Sequence, residues 1–183
     1  MRLAVLCFFS ALALAQQPRP PSPAQVELDR AFEALRTAPD EPGGAMVEQR
    51  IRQLLAARAT PSVVLLLARG QRNLAGNQPA EALEDFDAAI TLAPDAVDPW
   101  FGRALAAHQA GDAPAALRDL QQVMRLEPRH WQALQQLSLW QEEAGNAPAA
   151  LRSFEAALAI HPRLRGGEAR LRELRRKAVG DDA

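Results

Sequence analysis

Apolar residues in this chain recur at intervals of three and four, the spacing that puts them on one face of a helix. Leu28, Ala31, Phe32 and Leu35 draw one such stripe, and Val47, Ile51, Leu54 and Leu55 draw a second. Between them Pro39-Asp40-Glu41-Pro42-Gly43-Gly44 breaks the chain, and Pro61 ends the second stripe. Residues 24–61 therefore read as a helical pair, expected to hide the open end of whatever stacks after it.

Beyond Pro61 the chain is periodic. Four series keep a spacing of 34: Pro94, Pro128 and Pro162; Ala82, Ala116 and Ala150; Ala89, Val123 and Ala157; and Phe86, Leu120 and Phe154. Each has a physical reason. Proline stops a helix because it disfavours helical geometry before it and lacks an N–H. The small residues let two helices approach closely, and the large one a turn away fills the space so made. Gly111-Asp112 and Gly145-Asn146 join a residue tolerant of positive φ to an N-cap side chain. Pro114 and Pro148 come next, in the first helical turn, where a missing N–H costs nothing. A unit of this size, over 63–96, 97–130 and 131–164, is a helical hairpin that buries its apolar face only by stacking on a neighbour. Past it, Gly166-Gly167 breaks the chain, and Ala169, Leu171 and Leu174 mark a last, Arg-rich helix.

These marks resemble the tetratricopeptide repeat, whose pattern is W-x2-L-G-x2-Y, then A-x3-F, then P. The middle unit offers Trp100, Ala104, Ala116-x3-Leu120 and Pro128; the third Leu134, Leu137-Ser138, Ala150-x3-Phe154 and Pro162; the first Leu66, Arg69-Gly70, Ala82-x3-Phe86 and Pro94. The chain departs from the pattern in three ways. Gly76 falls one place early, so Asn77 is expected at the turn. Arg69 and Arg103 stand where Leu is usual, and their stems are expected to pack while the guanidinium reaches water. No tyrosine fills the aromatic place of the first helix. The resemblance implies an all-α, right-handed α-solenoid of three such hairpins, over 62–164, with the helical pair before it and 165–183 as a capping helix and tail.

The resemblance also implies a site. In this family the first helices of successive repeats line a concave groove. The matching positions here are Val64, Leu67, Gln71 and Leu74; then Asp98, Phe101, Leu105, His108 and Gln109; then Gln132, Gln135, Leu139, Glu142 and Glu143. The set runs from apolar to mildly acidic, with Phe101, Leu105 and Leu139 as the expected exposed contact patch. Its amides suit a peptide backbone. The family's clamp for a terminal carboxylate uses Lys, Arg and Asn at these places; Gln, Leu and Glu stand here instead. The expected ligand is thus an extended or helical segment with apolar anchors rather than an acidic tail.

Composition changes this picture little. A formal charge of −1 gives no long-range pull toward nucleic acid or anionic membranes. The last helix is the local exception, with Arg163, Arg165, Arg170, Arg172, Arg175, Arg176 and Lys177. Interleaved Glu168 and Glu173 make a soluble cap the stronger reading, over docking to anionic lipid or cell-wall polymer. Trp100 is expected in the core, and Trp140 toward the last hairpin or closing helix.

The N-terminus carries an address. Met1–Arg2 is basic, Leu3–Leu14 apolar and Ala13-Leu14-Ala15 a small-residue cleavage motif, the layout of a secretory signal peptide over 1–15. The apolar run has about half the ~20 residues of a spanning helix, which favours cleavage over anchoring. Cys7, the single cysteine, lies inside it, so the mature chain is expected to hold no disulfide. Residues 16–23 form a Pro-rich linker. The layout also resembles small exported repeat proteins of Gram-negative bacteria.

Catalytic chemistry finds no foothold. His108, His130 and His161 stand at no ligand spacing such as H-E-x-x-H, and neither a phosphate loop nor a G-x-S-x-G elbow occurs. Asp85, Asp87 and Glu142-Glu143 are expected to be solvated carboxylates. The expectation is an exported, periplasmic scaffold or adaptor that binds another protein or peptide, not nucleic acid. It is expected to use no catalytic residue, metal or cofactor. The alternative is a structural homo-oligomer that assembles through the groove or the solenoid ends.

Overall fold

The structure is a computed structural model that describes residues 20–180; the signal segment with Cys7, and Gln16–Arg19 of the linker, lie outside the described residues. Nine helices and no strands are found among those residues. They are α1 (Pro23–Arg36), α2 (Glu41–Ala56), α3 (Pro61–Ala75), α4 (Pro79–Leu92), α5 (Val97–Gln109), α6 (Ala113–Leu126), α7 (Trp131–Glu143), α8 (Ala147–Ile160) and α9 (Gly167–Val179). The pairs α3–α4, α5–α6 and α7–α8 are the three hairpins.

Local chemistry sets each hairpin. The turn residue takes positive φ: Asn77 at 57°, Gly111 at 86° and Gly145 at 75°. Asn77 holds that place because asparagine enters the left-handed region more readily than most side chains. Asp112 and Asn146 then cap the next helices, accepting from Ala115 N and Ala149 N at 2.9 and 3.1 Å. Ala82, Ala116 and Ala150 are fully buried at the crossings, as are Ala89, Val123 and Ala157. The Phe86 ring lies between Gly70 and Gly102, where an added Cβ would stand 2.8 and 2.5 Å from it. Two glycines thus make room for one ring.

The arginines at the leucine place do more than reach for water. Asp85 and Asp119 are buried, at 1 % and 6 % exposure. Arg69 donates from Nε to Asp85 at 2.6 Å, and Asn73 to its other oxygen at 2.9 Å. Arg103 holds Asp119 with two bonds, at 2.8 and 2.7 Å, and Asp87 of the preceding repeat at 2.6 Å. The expectation of a solvated Asp85 is thereby corrected, while Asp87 stays exposed as it pairs with Arg103. Arg and Asp sixteen positions apart tie the first helix of a repeat to its second, and a buried carboxylate needs such a partner. Asp119→Ala is expected to cost about 2–3 kcal/mol, because it leaves a half-buried guanidinium with the exposed Asp87 alone. Asp119→Asn should cost less, and urea midpoints measure the difference.

The helical pair departs from expectation. It does not stack on the open end of the first repeat, where Leu65 stays 67 % exposed. It lies instead as a strap along the edge formed by the junctions between repeats. Arg58 and Leu55 line a cavity with Asp95, Val97 and Glu127 at the first two junctions. Asp29 pairs with Arg129 at 2.8 Å, and Arg129 also stacks over Phe32 at 4.0 Å. Near the third junction, Arg163 donates to Ala38 O at 3.3 Å. Leu28, Ala31, Phe32, Leu35 and Ile51 form one core with Trp131 and Ala157 of the last repeat. The apolar stripes predict the helices but not the surface they cover.

Gly43 and Gly44, expected in the break, belong to the first turn of α2. Asp40 caps that turn by accepting from Gly43 N at 2.8 Å. Gly44 is needed there because a Cβ would come within 2.9 Å of His161 and 3.1 Å of Arg163. At the other end α9 buries Leu174 against Ala150 and Phe154. Trp140, expected toward that end, packs the other way. It joins the core of the second repeat and stacks on His108 of α5 at 4.3 Å, with the rings 8° from parallel. Trp100 is only half-buried; it donates to Pro94 O at 2.9 Å and lies 4.7 Å from the Arg103 guanidinium.

Candidate partner-binding groove

The site is built on the first helices of the repeats, α3, α5 and α7. Their expected groove residues are not equally accessible. Val64 and Leu139 are 47 % and 42 % exposed, and Gln71, Gln109 and Glu143 are exposed as well. Leu67, Leu74, Asp98, Leu105, His108, Gln132, Gln135 and Glu142 are half-buried. Phe101, expected in an exposed patch, is half-buried with its ring 4.8 Å from that of His130. It also lines a cleft of about 160 Å³ with Phe32, Ile51 and Arg52 of the strap. The strap thus forms one wall of the groove, and Phe101 and Leu105 give less open apolar surface than their sequence positions imply.

Charge is redistributed too. Glu142 accepts from Lys177 Nζ at 2.7 Å and pairs with Arg170, so two cations of α9 hold its carboxyl below the usual range. Glu173 is pulled down to about 2 by the same Lys177 and Arg170. The repeat-three end of the groove therefore keeps Glu143 as its exposed acid, while the charge of Glu142 is balanced by α9. Arg175 pairs with Glu155 at 3.1 Å, so much of the basic helix is spent on its own neighbours. Arg165 and Arg170 border a cleft of about 230 Å³ with Gln135, Leu139 and Leu164. Nearby, His108 Nε2 stands 3.3 Å from Glu143.

Three amides remain open. Gln71, Gln132 and Gln135 make no side-chain hydrogen bond among the described residues, while Gln109 donates to Asn77 at 2.8 Å. Unbonded amides beside Leu67, Leu105 and Leu139 can pair with a backbone while apolar side chains are covered.

The residues that sequence reasoning misses come from elsewhere in the chain. Leu55, Arg58 and Leu92 line a cleft of about 440 Å³, together with Leu67, Asp98 and Pro99. Leu92 carried a readable signal, since it keeps the spacing of 34 with Leu126 and Ile160. Leu55 and Arg58 carried none, because no period relates the strap to the repeats.

Two buried histidines lie where strap and repeats meet. His130 accepts from Ala133 N at 3.1 Å as the cap of α7, and burial pushes it down to about 4 from 6.5. Burial also lowers His161, with Glu48 of α2 opposing, 3.8 Å from Nε2. A base whose folded pKa is depressed is held neutral by the fold, so protonation favours the unfolded chain. Stability is therefore expected to hold above about pH 6.5 and to fall as pH drops toward 4. His130 alone gives a loss of about 2–3 kcal/mol over that window. Urea titrations at several pH values measure it, and His130→Asn, which keeps a cap acceptor, should flatten the profile.

Among the described residues no cluster of three or more His, Cys, Asp or Glu is placed to hold a metal ion. No helix there is long and apolar enough to cross a membrane.

Comparison with known proteins agrees with this architecture. No known family profile matches the chain. A TPR repeat-containing protein of Rhizobium etli is 26 % identical over 121 residues, which is 66 % of this chain; the chain spans 59 % of that relative's length. Among solved structures, the TPR2B domain of yeast Sti1, in complex with pHsp70, is similar with a TM-score of 0.58 and 20 % identity. That match covers 66 % of this chain and 98 % of the domain. MamA is similar with a TM-score of 0.54 and 20 % identity, over 81 % of this chain and 88 % of that one. Period, hairpins and these likenesses define an all-α solenoid with the fold of tetratricopeptide-repeat proteins, to which the chain is similar.

Proposed function

We propose that the protein is a non-catalytic scaffold that holds a segment of another protein in the groove of α3, α5 and α7. The observation that carries this reading is the row of leucines, Leu67, Leu105 and Leu139, interleaved with the unbonded amides of Gln71, Gln132 and Gln135. Such a surface satisfies a peptide backbone and covers apolar anchors at once. The pairing of Glu142 with α9 removes a charge that would repel an acidic segment, yet no Lys or Arg replaces it at the groove positions. An uncharged or amphipathic segment therefore fits best. The yeast Sti1 domains, solved with pHsp70 and pHSP90, support a ligand-holding role for this architecture.

The test uses two exposed groove residues at opposite ends, Val64 and Leu139. Val64→Glu with Leu139→Glu should leave the urea midpoint unchanged and abolish retention of the partner on the immobilised chain. A partner retained equally by both forms would rule the groove out. Retention of nothing but the chain itself would support the homo-oligomer instead.

We also place the protein in the periplasm after cleavage at Ala15, on the strength of the basic start, apolar run and small-residue motif. An N-terminal sequence beginning at Gln16 in an envelope fraction is the expected result. A chain beginning at Met1 in the cytosol would refute it.

A further inference from the structure

The strap packs on one rung of a three-rung ladder and faces a second across a cavity. Leu92, Leu126 and Ile160 stand 34 residues apart, each in the last turn of a repeat's second helix. Ile160 packs into the core beneath α1 and α2. Leu126 is half-buried across a cavity from Gln25, Leu55 and Arg58 of the strap. Leu92 is bare, at 58 % exposure. The strap ends at Ala56, and at its end opens the cleft walled by Leu55, Leu67, Leu92, Val97 and Pro99. Leu67 is also a groove residue, so groove and strap-bearing edge meet here.

Charge narrows what fits. Asp95 and Asp98 border the same cleft, and neither has an ion-pair partner among the described residues. Burial raises the Asp98 carboxyl, the sign of an acid lacking a compensating cation. Arg58, the cation at the rim, is turned back into the strap, donating to Ala24 O at 3.2 Å and Gln25 Oε1 at 3.1 Å.

We propose that this cleft docks an amphipathic helix of a partner protein, which continues the line of the strap along the repeat junctions. The helix seats a leucine-sized side chain against Leu67 and Leu92 and sets a Lys or Arg beside Asp95 and Asp98. Continuity carries the first half: the same edge already accepts amphipathic helices at the Ile160 rung, and their end faces the Leu126 rung. The unpaired acids carry the second, since a cation desolvated beside them gains more than it does in water. The inference rests on the groove reading and names the kind of segment that enters it.

The test titrates the full chain, methyl-labelled for NMR, with a synthetic helix of about fifteen residues bearing Leu on one face and Lys on the other. A Leu/Glu helix of the same pattern is the control. The Leu/Lys helix should shift the methyls of Leu55, Leu67, Leu92 and Val97 and bind at least about tenfold tighter than the Leu/Glu helix. Leu92→Gln should weaken it about tenfold, a loss of about 1.4 kcal/mol. Asp98→Asn should reduce its salt dependence. Leu117→Gln, a comparably exposed site on α6, should change nothing. Shifts confined to Leu105 and Leu139 would leave the groove standing and overturn the cleft. Equal binding of the two helices would overturn the basic partner. No shift anywhere would overturn both readings. Contacts from a second copy, or from residues before Pro20, already filling the cleft would overturn the occupant.

Discussion

Truncating Phe86 to alanine will destabilise the chain by about 5 kcal/mol, at the upper end for a buried ring. The ring is fully buried and faces Gly70 on one side and Gly102 on the other. Neither glycine has a side chain that could lean into the void, so the cavity persists and the cost stays high. The converse substitution is more diagnostic. Gly102→Ala brings a Cβ within 2.5 Å of the ring and is expected to lose about 1–3 kcal/mol, although alanine is the better helix former. Phe86→Leu alone should lose about 1 kcal/mol. Together the two should be more stable than Gly102→Ala alone, because the smaller side chain yields the space that the new methyl takes. One repeat later the smaller large residue, Leu120, already accompanies an added methyl on the other side, with Ala104 at the register of Gly70. Urea midpoints of the four chains close the cycle. Additive losses would mean that ring and glycine do not share the space.

Why the solenoid was legible and the strap was not comes down to what a sequence encodes locally. A period of 34 with proline, small and large residues in fixed order states which residues meet, because the partner always lies one repeat away. Ala82, Phe86 and Ala89 are buried for the same reason as Ala150, Phe154 and Ala157. The turn at Asn77 is legible by the same logic, since the period demands positive φ there. The strap has no period in common with the repeats. Its stripe of Leu28, Ala31, Phe32 and Leu35 fixes a helix and a buried face, but nothing in it says that the face meets Trp131, far along the chain. Chain order suggested the first repeat; the structure gives the last. The same blindness hid Asp85 and Asp119. A lone carboxylate in a helix reads as solvated, and only the hairpin brings Arg69 and Arg103 against them. In the groove, identities were legible and accessibility was not. Phe101 loses exposure to the strap and Glu142 loses free charge to α9, both elements outside the repeats.

Replacing Trp131 with alanine will detach the strap while leaving the first two repeats folded. The indole is 2 % exposed and meets Phe32 edge-on at 6.1 Å and His161 edge-on at 5.6 Å. It is the largest buried side chain joining α1 and α2 to the solenoid. Its loss should weaken that attachment by about 3–5 kcal/mol. The contacts inside the α3–α4 and α5–α6 hairpins do not involve it, so the effect should stay with the strap and the last hairpin rather than spread through the chain. Hydrogen exchange separates the two. Amides of α1 and α2 should lose protection by a factor of about a hundred or more, and those of α3–α6 should change little. Trp131→Phe is the informative companion. The indole Nε1 is buried without a hydrogen-bond partner, as is Nδ1 of His161 beside it. An orphaned donor costs about 1–3 kcal/mol, so phenylalanine removes a penalty as it removes contact area, and the sum should lie near zero. Strap and solenoid are then joined by shape more than by polar bonds, which suits an element that can be prised off. Should α3–α6 lose protection as fully as α1 and α2, the strap would be part of one cooperative core. The cleft beyond its last turn would then mark a flaw in that core rather than the edge of a separable cover.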